Sequence, residues 1–285
     1  MERKIELIIG IGLLMVLGYS ILRMIRTVKR IRRIRRRKKE QGRNREGQKM
    51  RSRRKRRVRV VCLLGILAVL WGGYQIYQQQ KIPESLQTFE EKYPEAADFV
   101  RDYPKRKHYQ TIDLSEELEE PGIPFFLQWD KRWGYEMYGT DFLAVNGCGP
   151  TCLSMIVCGL TGEDTWNPRA VAEFSQEQGY YIPGEGTSWN LMTQGAAMLG
   201  LQTESVGIEA DAIRQRLSES EPLICSMYPG DFTYTGHFIV LTGLDEEGKI
   251  VVHDPNSRVN SEKHWEMEII LPQIRQIWGY QMKNI

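Results

Sequence analysis

Cys148 lies between two glycines, in the run Asn146-Gly147-Cys148-Gly149-Pro150-Thr151-Cys152. Proline suits a first helical turn, because its missing N–H would find no intrahelical partner there. Leu153, Ile156, Val157 and Leu160 then recur at helical spacing, and Gly159 with Thr161-Gly162 marks the end. The pattern puts Cys148 at the mouth of a helix, where partial positive charge favours a thiolate over a thiol. A thiolate there is a nucleophile. Cys152 and Cys158 fall within the apolar stripe and read as structural. On local sequence alone, the bland alternative is a glycine-rich turn ahead of a core helix.

A thiol nucleophile needs a base within hydrogen-bond reach, and the base needs a group to orient it. The chain has four histidines. His108 follows Lys105, Arg106 and Lys107, and His264 follows Lys263, so both read as solvated. His237 opens the apolar run Gly236-His237-Phe238-Ile239-Val240-Leu241, which fixes an imidazole at a sheet edge. His253 ends the next strand, directly before Asp254-Pro255-Asn256-Ser257. Neighbouring side chains on a strand face opposite ways, so His253 and Asp254 cannot both aim at one site. Asp254 is the expected orienter of His237, with Asn256 as the alternative, since an amide can also hold the ring. A tetrahedral intermediate needs donors for its oxyanion. The backbone N–H of Cys148 is one, and the carboxamide of Gln128, set beside Trp129 and Trp133, is the expected second.

These residues need a scaffold. After Pro121 the pattern is globular, with expected helices over 169–178 and 189–199, the latter capped by Ser188. The last third reads as strands over 222–228, 237–241, 249–253 and 265–270. Helices first and an antiparallel sheet second is an α+β layout. Trp129, Trp133, Trp189 and Tyr234 could line a groove, or equally fill a core.

Net charge is only +3 over 285 residues, but it is divided sharply. Residues 23–59 carry a net +19 and residues 60–285 a net −16. Two charge-free apolar runs, 7–22 and 60–77, flank the basic stretch. Eighteen helical residues cover roughly 27 Å, close to a hydrocarbon core. The expected organisation is therefore a first transmembrane helix (1–25), a basic cytoplasmic loop (26–59), a second transmembrane helix (60–80), a stalk with short helices (81–120) and a globular domain (121–285). Positive loops stay in the cytoplasm, which places the domain on the extracytoplasmic face. The basic stretch then has anionic lipid headgroups rather than nucleic acid as its partner. Five cysteines are too few for a disulfide framework and leave room for a single bridge to Cys225.

Gln128-Trp129-Asp130, Asn146-Gly147-Cys148-Gly149-Pro150-Thr151, Gly236-His237-Phe238-Ile239-Val240 and Val252-His253-Asp254-Pro255 together resemble the papain-like cysteine peptidases. Within them, the set is similar to the double-glycine leader peptidases of bacteriocin export, cysteine peptidase family 39. The resemblance covers residues 123–270. It implies a helix bearing the cysteine packed on an antiparallel sheet bearing histidine and aspartate. It implies Cys148 as nucleophile, His237 as base, Asp254 as orienter and Gln128 as oxyanion donor, with a peptide or protein as substrate and no cofactor. The chain lacks the G-x-x-x-x-G-K phosphate loop of the export transporters, so a stand-alone, membrane-anchored member is the nearer likeness.

Three other readings compete. The same residues could run amidase or acyl-transfer chemistry on cell-wall peptides. The domain could be a catalytically silent binding or scaffold module. Cys148 and Cys152, four apart on a helix, could hold a metal with His237 or His253.

Overall fold

The computed structural model describes residues 18–35 and 45–283. The chain separates into two units, Met1–Gln75 and Ile76–Ile285. In the first, residues 18–35 are helical (α1) and α2 (Arg45–Gln80) begins. Within α2, Met50–Gln75 is long and apolar enough to cross a membrane, with a mean hydropathy of 1.6 over its most apolar window and none of that window buried. It is the one such helix among the described residues. The span expected over 7–22 lies outside the described residues for all but its last five positions. The basic stretch is helical over 26–35 and 45–59 rather than looped. Arginine and lysine are good helix formers, and no proline interrupts them.

The second unit opens with α3 (Glu84–Lys92) and α4 (Ala97–Asp102), separated by a turn at Tyr93-Pro94. Leu86, Phe89, Ala96, Phe99, Val100 and Tyr103 are buried in one cluster with Ala144, and Trp129, Tyr135 and Phe142 pack against it. Phe99 stacks on Tyr135 with ring centroids 4.1 Å apart. The segment over 81–120 is thus bound into the folded unit far more than a stalk would be. Even its acidic end is engaged: Leu114 is fully buried and Glu117 pairs with Arg132.

A small hairpin, β1 (Met137–Tyr138) with β2 (Asp141–Phe142), leads through α5 (Leu143–Asn146) into α6 (Cys148–Thr161). The helix α6 ends at Gly162, whose φ of 71° is the left-handed cap that glycine accepts. Next come α7 (Pro168–Glu177), the pair β3 (Tyr181–Ile182) and β4 (Gly186–Thr187), and α8 (Gln194–Met198). The helix expected over 189–199 is broken. Only a 3-10 turn at Trp189–Leu191 and α8 form, because the Met192 carbonyl is taken by the Tyr280 and Thr203 hydroxyls instead.

The remainder builds one antiparallel five-stranded sheet around β5 (Leu201–Val206), β6 (Leu223–Met227), β7 (His237–Leu244), β8 (Ile250–His253) and β9 (Ile274–Met282). The order is β5-β9-β6-β7-β8. Helix α9 (Ala210–Ser218) follows β5, and the short α10 (Arg258–Glu262) and α11 (Met267–Ile270) precede β9. The strand expected over 265–270 is not one. Trp265 makes a single bridge to Ile250, and Met267 onward turns into α11. The fifth strand is β9, which lies between β5 and β6 with both faces covered, so its sequence lacks the clean alternation that marks a half-exposed strand.

Side chains on β6 and β7 divide by parity. Ile224, Phe238 and Val240 join Leu153, Ile156 and Val157 of α6 in one core. Leu223, Cys225, Ile239 and Leu241 join Ile213 and Leu217 of α9 in a second. The sheet is thus clamped between two apolar layers, and α6 lies on one of them.

Candidate active site

The sulfur's position is set by close packing on either side. A Cβ at Gly147 would fall 2.4 Å from the Leu143 carbonyl oxygen, and one at Gly149 2.7 Å from Thr187 Cγ2. Only glycine lets α5 and β4 approach the mouth of α6 this closely. Cys148 is the first residue of α6 and half-buried, while Gly149 to Cys158 are all buried. Its backbone N–H belongs to the helix-initial groups that have no intrahelical acceptor.

His237 begins β7 and is buried. Its Nε2 lies 2.7 Å from Asp254 Oδ1, and the Cys148 side chain is close enough to the ring to act on its charge. Cys148, His237 and Asp254 are therefore brought together in one place. Burial alone would push the imidazolium down. The adjacent Asp254 charge, the hydrogen bond to it and the bond to Cys148 outweigh that and raise His237 to about 10. The surroundings therefore favour the charged form of the ring.

Asp254 has no exposed surface, and each of its polar atoms is held. Oδ1 also accepts from the Asn256 N–H at 2.9 Å, and Oδ2 accepts from Asn260 Nδ2 at 2.8 Å. The Asp254 N–H donates to Ser261 Oγ at 2.9 Å, and its carbonyl accepts from the Ser257 N–H. Asn256, the other expected orienter, supports the carboxylate through its backbone instead; its Oδ1 is buried without a hydrogen-bond partner.

Gln128 is fully buried and joins the two sides of the site. Its backbone N–H donates to the Pro255 carbonyl at 2.8 Å, next to Asp254. Its Nε2 donates to the Ala144 carbonyl at 2.6 Å, in the short helix just before Cys148. An amide nitrogen has two N–H groups, so one remains for a ligand. Trp129 Nε1 donates to the Asn256 carbonyl at 3.0 Å and Trp133 Nε1 to the Leu127 carbonyl at 2.9 Å, which locks the stretch around Gln128.

The other histidines are elsewhere. His108 pairs with Glu136, and His264 with Asp245. His253 turns to the Pro124 carbonyl, and its burial lowers it to about 4. The Cys152 thiol donates to the Phe238 carbonyl and is pushed up by burial, so it is a packed structural thiol. All five cysteines are free. Among the described residues no group of His, Cys, Asp or Glu is arranged to hold a metal ion.

Two residues from far upstream also reach the site. The Tyr93 hydroxyl is near enough to Asp254 and Cys148 to feel their charges, and it lies near the Asn256 side chain. Glu95 accepts from the Ser257 hydroxyl and from the Arg258 N–H at 2.9 Å. Both lie in the segment over 81–120 that the sequence pattern marks as a stalk, which gives no local sign of either role.

In a comparison with known proteins, no curated protein matches the chain. A solved structure of the peptidase domain of Streptococcus ComA aligns at 17% identity. ComA is described as a bi-functional ABC transporter involved in a quorum-sensing pathway. The alignment covers 48% of this chain and 93% of that one, with a TM-score of 0.39. The family model of the Peptidase_C39 like family matches residues 121–284. That is more than half of the chain and spans Gln128, Cys148, His237 and Asp254: the protein belongs to the Peptidase_C39 like family.

Proposed function

We propose that this protein is a membrane-anchored cysteine peptidase that hydrolyses peptide bonds through Cys148, His237 and Asp254, with its catalytic domain extracytoplasmic. The observation that carries the reading is the His237 ring, bonded to a buried carboxylate on one side and acted on by the nearby Cys148. In the proposed first step, His237 takes the proton of the Cys148 thiol. The sulfur attacks the peptide carbonyl carbon, and the carbonyl electrons move onto oxygen. The Cys148 backbone N–H and the second Nε2–H of Gln128 hold that oxyanion. His237 passes its Nδ1 proton to the departing amine, leaving a thioester on Cys148. Water, deprotonated by His237, then attacks the thioester and returns the thiol. Asp254 keeps the ring oriented and stabilises its positive form throughout.

The anchor is the apolar part of the Met50–Gln75 stretch of α2, with the basic residues up to Arg59 on the cytoplasmic side against anionic headgroups. Two experiments test the reading. Membranes carrying the full chain should cleave a peptide mixture, and the Cys148→Ala chain should not; equal cleavage by both would sink the proposal. In intact cells a membrane-impermeant thiol electrophile should label wild type and spare Cys148→Ser. Labelling only after the membrane is broken would reverse the assigned side.

A further inference from the structure

The family match begins at residue 121, yet one wall of the site comes from before it. A cleft of about 520 Å³ opens between the Tyr93-Pro94 turn, the Phe232–Tyr234 turn and the start of α10. That volume suits a bound side chain and some backbone. Its apolar lining is Tyr93, Pro94, Phe232, Tyr234 and Val259. Phe232 is buried and packed on Trp265 with ring centroids 4.5 Å apart, so it forms a fixed floor. Tyr93 packs on Phe89 at 5.1 Å. Tyr234 and Val259 are 76% and 64% exposed, so they stand open at the rim.

The charged groups at this cleft are mostly engaged by the protein itself. Glu95 is spent on the start of α10, where its carboxylate accepts the Ser257 hydroxyl and the Arg258 N–H. That is the favourable place for a negative group on a helix. Asp231 accepts from Gln273 Nε2 at 2.8 Å. Lys92 also lines the cleft as an exposed cation, and the rest of what faces the opening is largely aromatic and aliphatic.

The cleft borders the loop that carries Asp254. Asn260 lines it and also holds Asp254 Oδ2. The Tyr93 hydroxyl lies within electrostatic reach of Cys148, and burial, the largest influence on it, helps push it up to about 12. It therefore remains a protonated donor at working pH. The Phe232–Tyr234 turn runs through Gly236 into His237, so the opening also borders the base along the chain.

Resting on the peptidase reading, we propose that Tyr93, Phe232, Tyr234 and Val259 form a specificity subsite for an apolar or aromatic side chain flanking the scissile bond. One of these four residues, Tyr93, comes from outside the family-matching region, so part of the preference is set by a segment the family match does not include. Glu95 is the positioning residue that fixes the Tyr93 turn to the loop bearing Asp254.

The test uses the full chain in detergent and a peptide library randomised on both sides of the cleaved bond, read by mass spectrometry. Wild type should favour Phe, Leu or Met over Gly or Asp at one flanking position by about tenfold or more, as burying such a side chain implies. Tyr93→Ala should bring that ratio to within about threefold. Tyr234→Lys, an exposed change that leaves the core alone, should move the preference toward Asp and Glu. A switch of this kind is not produced by misfolding. Cys148-dependent cleavage whose ranking is the same in wild type and both variants overturns the subsite alone. Absence of any Cys148-dependent cleavage overturns the peptidase reading and the subsite with it.

Discussion

The two sides of the site are built by different forces. On the helix side, the sulfur is carried by α6, whose residues Gly149 to Cys158 are buried and whose start has no side-chain cap. Its place is fixed by non-directional packing of Leu153, Ile156 and Val157 against Phe238 and Val240. On the loop side, Asp254 is fixed by a hydrogen bond at each polar atom, and Glu95 clamps the same loop from far upstream. Packing locates a backbone well and tolerates modest changes of shape. A ring and a carboxylate must also be oriented, and only directional bonds do that. Damage to the helix side should therefore appear as lost stability, and damage to the loop side as lost chemistry.

The largest break in that contrast comes from Asp254. Asp254→Asn keeps the volume and removes the charge that raises His237. Under the proposed mechanism, peptide cleavage should fall by about 10⁴-fold, as when a triad carboxylate is replaced. The pH dependence should move as well. With His237 raised to about 10, the imidazolium form persists through neutrality, and wild-type activity should decline only as pH climbs toward that value. In Asp254→Asn the alkaline limb should shift downward. The sign carries over to stability. A histidine whose folded value lies above its unfolded one contributes fully below the unfolded value of about 6.5 and loses that contribution as pH rises to about 10. Urea unfolding across that window should show wild type losing more stability than the variant. Parallel curves would mean that the pair does not govern the ring.

Gln128→Ala should have the next effect. Removing one oxyanion donor lowers kcat by about 10²- to 10³-fold, with KM little changed. Because Gln128 joins the Ala144 carbonyl to the Pro255 carbonyl, Gln128→Glu sharpens the test. It keeps the backbone link and nearly the same shape, but places a negative charge where the oxyanion forms. A Glu variant as active as wild type would remove Gln128 from the chemistry.

Much of this was readable in the chain because the signals were local. Gly147, Gly149 and Pro150 announce a helix start pressed closely on both sides, and the structure supplies the crowding that demands them. The apolar runs at β6, β7 and β8 carry strand signals of their own. The strand β9 was not readable, since a central strand covered on both faces shows no period of two. The break at Met192 was hidden because its cause, the Tyr280 hydroxyl, sits 88 residues away. The contributions of Tyr93 and Glu95 were hidden for the same reason. An alternation of apolar residues with Pro94 and Pro104 looks the same in a packed cap as in a stalk. Only the distant partners Ser257 and Asp254 distinguish them.

The smallest effects give the most direct test of the contrast, because they should separate cleanly. Leu153→Ala leaves a hole beneath the cysteine helix and should lower stability by about 2–5 kcal/mol. Since the sulfur sits at the far mouth of α6, kcat at a temperature where the protein stays folded should change little. Asn260→Ala does the reverse. It removes one bond to Asp254 Oδ2 near the surface, where water can enter. A hydrogen bond to a charged group is worth about 1.5–3 kcal/mol, but the water that replaces it restores most of that to the fold. The carboxylate gains freedom to turn, the ring follows it, and kcat should fall by about tenfold with little change in melting temperature. If both substitutions shift stability and rate together, the two sides act as one body and the division between packing and orientation does not hold.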